Sequence, residues 1–199
     1  MNPLFFSTPS RDLAAWAWNS RGDRCSGPNL AIIGVGMMGR EHLRVAALLG
    51  RARVRGIYDS NTDSIRLAQR ECADQPKDVP RVYGSLEAAC ADTGVDGFMI
   101  CTPNASHWAV FERLVATGKP LFIEKPMATS LADARRMVAI ASDYPGLIQL
   151  GMQYRFKAQY IDAFHAIKAS RWIGSVRTVA MSEYRPPFLD KVGQWNKFN

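Results

Sequence analysis

The sequence predicts an α/β fold in which a doubly wound parallel sheet is followed by the start of an α+β domain. Short apolar runs that match β-strands recur along the chain at 29–33, 53–58, 81–83, 97–101, 121–124 and 147–151. Between them lie stretches of helical periodicity, two of which end at the glycines Gly50 and Gly118. Strands that alternate with helices in this way are joined as parallel βαβ units, so a doubly wound sheet is expected.

The intervening helices are predicted from their periodicity and from the residues at their ends. They are expected over 37–49, after Asn61, over 85–91, from Asn104 to Thr117 and after Ser130. Ser130 and Asp133 resemble a capping box, and Asn104 is a candidate N-cap for its own helix. After the sixth strand, the pattern predicts one amphipathic helix over 154–170 and one further strand over 175–184.

The turn after the first strand carries three spaced glycines, Gly34, Gly36 and Gly39, directly before a helical pattern. In such a G-x-G-x-x-G turn the first glycine permits a tight bend, and the second removes a Cβ that would block a pyrophosphate. The third lets the helix pack closely on its strand. The free N–H groups of the first helical turn, which includes Met37 and Met38, would attract phosphate. The alternative is that the glycines serve only the geometry of the turn.

An acidic residue, Asp59, ends the second strand about 20 residues beyond Gly39, the spacing at which a carboxylate meets the adenosine ribose in dinucleotide-binding folds. A carboxylate there would repel a 2′-phosphate, so NAD is the expected cofactor and NADP is less expected. A simple turn aspartate is the alternative interpretation.

The fifth strand ends in Glu124-Lys125-Pro126. Because ligands of open α/β sheets bind beyond the carboxyl ends of the strands, Lys125 is expected beside the bound ligand. A lysine in that position can hydrogen-bond a substrate hydroxyl or carbonyl oxygen and help to move its proton. The alternative is a solvated lysine in a loop between a strand and a helix.

Composition narrows the class of protein further. The chain has 199 residues, a net charge of +7 and four scattered cysteines without metal-ligand spacing. Such cysteines indicate a reducing compartment, so we expect a cytoplasmic protein with no disulfide framework and no metal site. The basic charge does not come in runs with interleaved aromatic residues, so nucleic-acid binding is not expected. No apolar run approaches the length of a membrane span, and no membrane partner is expected.

Three segments are predicted. Residues 1–28 read as an N-terminal extension, residues 29–151 as a dinucleotide-binding Rossmann domain, and residues 152–199 as the incomplete start of a C-terminal substrate and oligomerisation domain. One helix and one strand cannot bury a second core, so the chain is expected to be truncated or to depend on a partner.

These motifs resemble those of the glucose–fructose oxidoreductase/inositol dehydrogenase/rhizopine catabolism (Gfo/Idh/MocA) family. The matching segments are the glycine motif at 32–39, Asp59, Cys101-Thr102-Pro103-Asn104 with His107, Glu124-Lys125-Pro126, and the segments 151–156 and 173–176. The glycine motif alone would not be specific, but the ordered set over 29–184 is.

The resemblance implies an NAD(P)-dependent oxidoreductase that transfers a hydride between the nicotinamide and a sugar, polyol or related hydroxy compound. Lys125 would be the catalytic lysine. Further cofactor contacts are implied for Thr102, Pro103, Asn104, His107, Glu124, Lys125, Gln153 and Arg155. The full-length protein would be a homo-oligomer, and its acid–base aspartate and histidine would come from a second domain beyond Asn199. Two other functions stay open: a non-catalytic dinucleotide-binding or regulatory module, and an NAD-dependent glycosidase of the same family.

Overall fold

The computed structural model describes residues 27–72, 79–169 and 174–184, so nearly all of the predicted N-terminal extension lies outside it. The strands are β1 (Asn29–Ile33), β2 (Arg53–Tyr58), β3 (Arg81–Val82), β4 (Gly97–Ile100), β5 (Leu121–Glu124) and β6 (Ile148–Gly151). The helices are α1 (Met37–Leu49), α2 (Thr62–Glu71), α3 (Leu86–Ala91), α4 (His107–Val115), α5 (Leu131–Asp143) and α6 (Ala158–Phe164). The strands form one parallel sheet of order β3-β2-β1-β4-β5-β6, which confirms the doubly wound fold.

The core lies on both faces of this sheet. In β1, Ala31 and Ile33 contribute to one buried cluster, whereas Ile32 between them contributes to the other. The two clusters are completed from neighbouring strands and helices, chiefly by Phe98, Ile100, Phe111, Leu114 and Ile123 on one face and by Leu43, Val54, Ile57 and Ala68 on the other. A strand that is covered on both faces needs a continuous apolar run, and this is the pattern of β1 and β4.

The helix ends follow the predicted capping residues in most places. Asn61 accepts hydrogen bonds from the N–H groups of Asp63 and Ser64, and the Ser130 hydroxyl accepts one from the N–H of Asp133. The prediction that Asn104 caps a helix is wrong. It begins a single 3-10 turn, Asn104–Ser106, that leads into α4 without a side-chain cap.

The segment after β6 differs from its prediction. The single helix over 154–170 is replaced by a 3-10 turn (Gln153–Phe156), the short α6 and a wider π-type turn (His165–Ala169), because Lys157 adopts an extended backbone with ψ 133°. Residues 174–184 are exposed and form no strand. A strand needs a neighbour to accept its backbone hydrogen bonds, and the described residues offer none at this segment.

A charged network surrounds Asp92, which ends α3 shortly before β4. Its carboxylate accepts hydrogen bonds from Arg55 Nε (3.0 Å), Arg81 (3.3 Å), the Tyr83 hydroxyl (2.9 Å) and the Gly94 N–H (2.9 Å). The Arg55 hydrogen bond is the largest cause that holds the pKa of Asp92 well below its usual range, against the opposing effect of burial. Burial, followed by the bond to Asp92, raises the pKa of Tyr83 to about 12. The network therefore ties β2, β3 and the α3–β4 loop together.

Replacing this carboxylate with a neutral amide, Asp92→Asn, should lower the free energy of unfolding by about 2 kcal/mol at pH 7, since hydrogen bonds to a charged group are lost. The folded pKa of Asp92 lies below its unfolded value, so the contribution is present above the ordinary aspartate pKa and is lost as the pH falls below it. Urea unfolding at several pH values should show that the difference in the free energy of unfolding between wild type and Asp92→Asn becomes smaller in acid. The control is Asp63→Asn, which removes an exposed pair with Arg66 and an exposed acid in the first turn of α2. A pH-independent gap would contradict the assignment.

Candidate functional site

A cavity of about 270 Å³ lies at the carboxyl ends of β1, β2, β4 and β5. It is lined by Gly36, Met37, Met38, Asp59, Ser60, Asn61, Ser64, Cys101, Thr102, Pro103, Asn104, Glu124 and Lys125. The chain leaves β1 toward β2 on one side, while β4 pairs with β1 on the other. The cavity therefore lies at the topological switch point of the sheet, where ligands of doubly wound folds bind.

The fold constrains the three glycines of the β1–α1 turn to different degrees. Gly34 has φ +90°, and a Cβ on it would lie 2.6 Å from the Thr102 nitrogen. A Cβ on Gly39 would collide with the carbonyl oxygen of Gly34. A Cβ on Gly36 would meet no atom of the described residues within 4 Å, and its extended backbone (φ −64°, ψ −159°) is not the left-handed conformation that favours glycine. The fold thus explains Gly34 and Gly39 but leaves Gly36 without a structural reason.

The N-terminus of α1 opens into the cavity through Gly36, Met37 and Met38. No side chain of the described residues caps it, and its first turn holds no acidic residue. Uncapped N–H groups at a helix N-terminus, together with the positive end of the helix dipole, are suited to bind an anion. Space above Gly36 and unpaired amides beside it fit the pyrophosphate of a dinucleotide.

Asp59 lines the next part of the cavity and also braces the glycine turn. Its Oδ2 accepts a hydrogen bond from the Val35 N–H (2.8 Å), and its Oδ1 accepts one from the Asn61 N–H (2.8 Å). Each carboxylate oxygen has a second lone pair, so both oxygens can still accept a hydrogen bond from a ligand hydroxyl. The same carboxylate therefore holds the turn and faces the cavity.

The turn after β4 contributes a polar wall. The hydroxyl oxygen of Thr102 is buried and has no hydrogen-bond partner among the described residues. A buried hydroxyl without a partner is costly, and such groups in native proteins usually mark a place for a ligand or water. Thr102 lines the cavity beside Pro103 and Asn104, so a bound ligand could supply the missing bond.

Glu124 and Lys125 form the edge of the cavity at the end of β5, which the sequence predicts to be its reacting edge. The Glu124 side chain is 8% exposed, and its Oε1 lies 2.8 Å from Nε2 of His42. Its Oε2 accepts a hydrogen bond from the Lys125 N–H at 3.2 Å. Burial acts to raise the pKa of Glu124, but the hydrogen bond and charge of His42 and the contacts with Lys125 outweigh it, so the pKa lies below its usual value. The site thus presents an ionised carboxylate next to the exposed Lys125 side chain.

Residues 29–152 match the model of the Gfo/Idh/MocA family, described as an oxidoreductase family with an NAD-binding Rossmann fold. The chain belongs to this family. The predicted resemblance and fold class are therefore confirmed, and the glycine turn, the acid after β2 and the edge at β5 lie within the matched segment.

Several named proteins are similar to this chain over the same segment. An inositol 2-dehydrogenase of Acidiphilium cryptum is 34% identical over 133 residues, which cover 66% of this chain and 38% of that protein. One of Paracoccus denitrificans is 32% identical over 135 residues, with 66% and 39% covered. The WlbA dehydrogenase of Bordetella pertussis, solved with NADH and UDP-GlcNAcA, is 25% identical with a TM-score of 0.64, covering 73% of this chain and 43% of its own. The chain thus spans about two fifths of the length of these relatives.

Nine of the predicted site residues surround the cavity together: Gly36, Met37, Met38, Asp59, Thr102, Pro103, Asn104, Glu124 and Lys125. Gly34 and Gly39 lie within the turn and shape it. Gln153 and Arg155 lie in the exposed 3-10 turn after β6 and do not line the cavity. Their contact with a cofactor, like that of the nine, stays a prediction.

The position of His107 requires a correction, because its ring does not line the cavity. The side chain is fully buried, with Nδ1 2.7 Å from the Pro126 carbonyl oxygen and Nε2 3.0 Å from that of Thr102. Each ring nitrogen faces a backbone carbonyl oxygen, and the nitrogen that carries the proton donates the hydrogen bond that holds the ring in the core. His107 therefore connects the turn after β4 with the turn after β5.

The sequence reasoning missed some residues of the site, namely Ser60, Asn61, Ser64 and Cys101 at the cavity and His42 behind it. A local signal does exist for Asn61 and Ser64, since the start of a helix that directly follows Asp59 must face the same edge of the sheet. His42 lies three residues after Gly39, on the side of α1 that faces the sheet, but nothing in the local pattern shows its partner. In the described part of the chain, no three His, Cys, Asp or Glu side chains are grouped for a metal ion, and no helix could cross a bilayer.

Proposed function

We propose that this chain is the cofactor-binding part of an NAD-dependent oxidoreductase that acts on a CH–OH group of a sugar, polyol or related compound. The observation that carries the proposal is one cavity that combines three features: the uncapped N-terminus of α1, the Asp59 carboxylate and the Lys125 side chain. The names of the relatives, inositol 2-dehydrogenases among them, support the substrate class.

The first step of the proposal is the placement of the cofactor. Its pyrophosphate would lie above Gly36 and accept hydrogen bonds from the first-turn N–H groups of α1. Its adenosine ribose would meet Asp59, which lies at the neighbouring strand end. The fixed negative charge of Asp59 disfavours a 2′-phosphate at that ribose, so the proposal favours NAD over NADP.

The second step concerns the reacting edge. When bound, NAD supplies the acceptor for the hydride. The ammonium group of Lys125 would donate a hydrogen bond to the substrate oxygen and help to carry its proton. Glu124 keeps a negative charge beside this ammonium group and orders the backbone N–H of Lys125. The final proton acceptor and the substrate walls are proposed to lie in the part of the relatives that this chain does not match.

The first step is tested by titrating the purified chain with NADH and measuring binding from the change in nicotinamide fluorescence. We expect saturable binding of NADH and an affinity for NADPH that is lower by about tenfold or more. The reason is that the 2′-phosphate of NADPH and the Asp59 carboxylate, both negatively charged, would lie close together. Absence of saturable NADH binding would contradict the proposal, and equal affinities would contradict the role of Asp59.

The reaction itself is tested with the full-length protein, NAD and a panel of inositols and sugars. Net formation of NADH with one of these compounds is the expected result. Release of a sugar without net NADH would favour the glycosidase alternative, and binding of NADH without any turnover would favour the non-catalytic module.

The cytoplasmic location and the self-association of the full-length protein stay predictions of the same proposal. Sedimentation of the full-length protein tests the second of these.

A further inference from the structure

The Glu124 carboxylate is held from two different elements of the fold. Its Oε1 lies 2.8 Å from His42 Nε2 on α1, and its Oε2 accepts the Lys125 N–H at 3.2 Å. A carboxylate only accepts hydrogen bonds, so Nε2 of His42 must be the donor. Both oxygens of a nearly buried group are thus committed to named partners.

His42 is itself fixed by packing against the same strand. Its ring lies edge-on to the ring of Phe122, with centroids 5.1 Å apart and an angle of 72° between the planes. Phe122 and Glu124 lie two residues apart in β5, so their side chains share one face of the strand. His42 therefore spans the gap between α1 and β5 by a ring contact and a hydrogen bond.

Helix α1 also carries the part of the cavity assigned to phosphate. Gly36, Met37 and Met38 lie at its N-terminus and line the cavity, and His42 follows within the second turn. One rigid helix thus joins the phosphate end of the cavity to the carboxylate beside Lys125. Without the Nε2 donor, an ionised group that is 8% exposed would lose its partner on the α1 side, and it would rotate or take up a proton.

We propose that His42 is a positioning residue that holds the Glu124 carboxylate at the cavity wall and thereby couples α1 to the reacting edge of the cofactor site. The proposal rests on the proposed function only in that the ligand of the cavity is NAD. His42 acts through Glu124 and touches neither cofactor nor substrate in this assignment.

A double-mutant cycle in NADH affinity tests the coupling. His42→Leu removes the donor but keeps an apolar side chain against Phe122, and we expect it to weaken NADH binding about fivefold or more. His42→Gln can place an amide N–H near the Nε2 position, so its affinity should stay within about twofold of wild type. The double variant of His42→Leu with Glu124→Gln should bind no more weakly than the weaker single variant. The control Arg44→Gln breaks an exposed ion pair with Glu41 on the same helix and should change nothing.

Two results would overturn the proposal. Additive effects of His42→Leu and Glu124→Gln would mean that His42 acts only by packing on Phe122, and a His42→Gln variant as weak as His42→Leu would mean that the donor is irrelevant. If the wild-type chain failed to bind NADH, the proposed function would be wrong. Urea unfolding of the wild type, His42→Leu, Glu124→Gln and the double variant would still measure the coupling between His42 and Glu124. Additive unfolding free energies would then reject it, and non-additive ones would support it.

Discussion

Replacement of Lys125 by methionine is expected to lower the turnover of the full-length protein, measured with NAD and the sugar or polyol that it oxidises, by about 10²- to 10⁴-fold, the usual contribution of a positioned acid–base group. Methionine keeps an unbranched side chain but cannot donate a hydrogen bond or carry a proton. Because the Lys125 side chain is exposed at the edge of the cavity, NADH affinity should change little. Steady-state rates combined with NADH titration measure the two effects separately.

The control for this substitution is Lys168→Met, which removes an exposed lysine from the π-type turn that follows α6. Its turnover and NADH affinity should equal those of the wild type. If Lys125→Met lost NADH affinity as strongly as turnover, the lysine would be a cofactor ligand. If it kept full turnover, the catalytic assignment would be wrong.

A single methyl group at Gly36 is expected to separate binding from folding. Gly36→Ala places its Cβ where no atom of the described residues lies within 4 Å, on an extended backbone outside the left-handed region that favours glycine. The midpoint of thermal unfolding should therefore stay near that of the wild type. NADH affinity should fall by roughly 10- to 100-fold, since forcing a methyl group into an occupied contact costs about 1–3 kcal/mol.

The neighbouring Gly39 supplies the contrast. Gly39→Ala would drive its Cβ into the Gly34 carbonyl oxygen, so it should lower the unfolding midpoint as well as the affinity. Gly84→Ala is the matched control, because its Cβ also meets no atom within 4 Å but lies outside the cavity. An unchanged NADH affinity in Gly36→Ala would show that the phosphates do not pass over this position.

The sheet was predictable because the residues that end and cap its helices act within their own segments. Gly50 ends α1 in the left-handed region with φ 62°, and Asn61 and Ser130 cap their helices as expected. Once the strands are known to be parallel, their carboxyl ends share one edge, so Asp59 and Lys125 must come together although 66 residues separate them in the numbering of the chain. Local signals and one topological rule suffice for this part of the site.

The rest depends on contacts between distant parts of the chain that no local pattern shows. The partner of His42 is 82 residues away, and helical periodicity places the histidine on the inner face without naming that partner. His107 stands in a motif that predicts a cleft residue, but two carbonyl oxygens hold its ring in the core. The predicted strand over 175–184 fails for a related reason, because a strand is defined by a neighbour that the described residues do not provide.

The double use of Asp59 restricts how coenzyme preference can evolve or be engineered. The carboxylate that would select NAD also accepts the N–H groups of Val35 and Asn61, so an exchange for a small neutral residue would release the glycine turn at Val35 and the β2–α2 loop at Asn61. A change toward NADP therefore cannot pass through this position alone. It needs a replacement whose side chain still accepts hydrogen bonds from these N–H groups, which the single amide oxygen of asparagine would do only in part. It also needs a cationic side chain to bind the added 2′-phosphate. In the role proposed for Asp59, coenzyme selectivity and the geometry of the glycine turn depend on the same carboxylate.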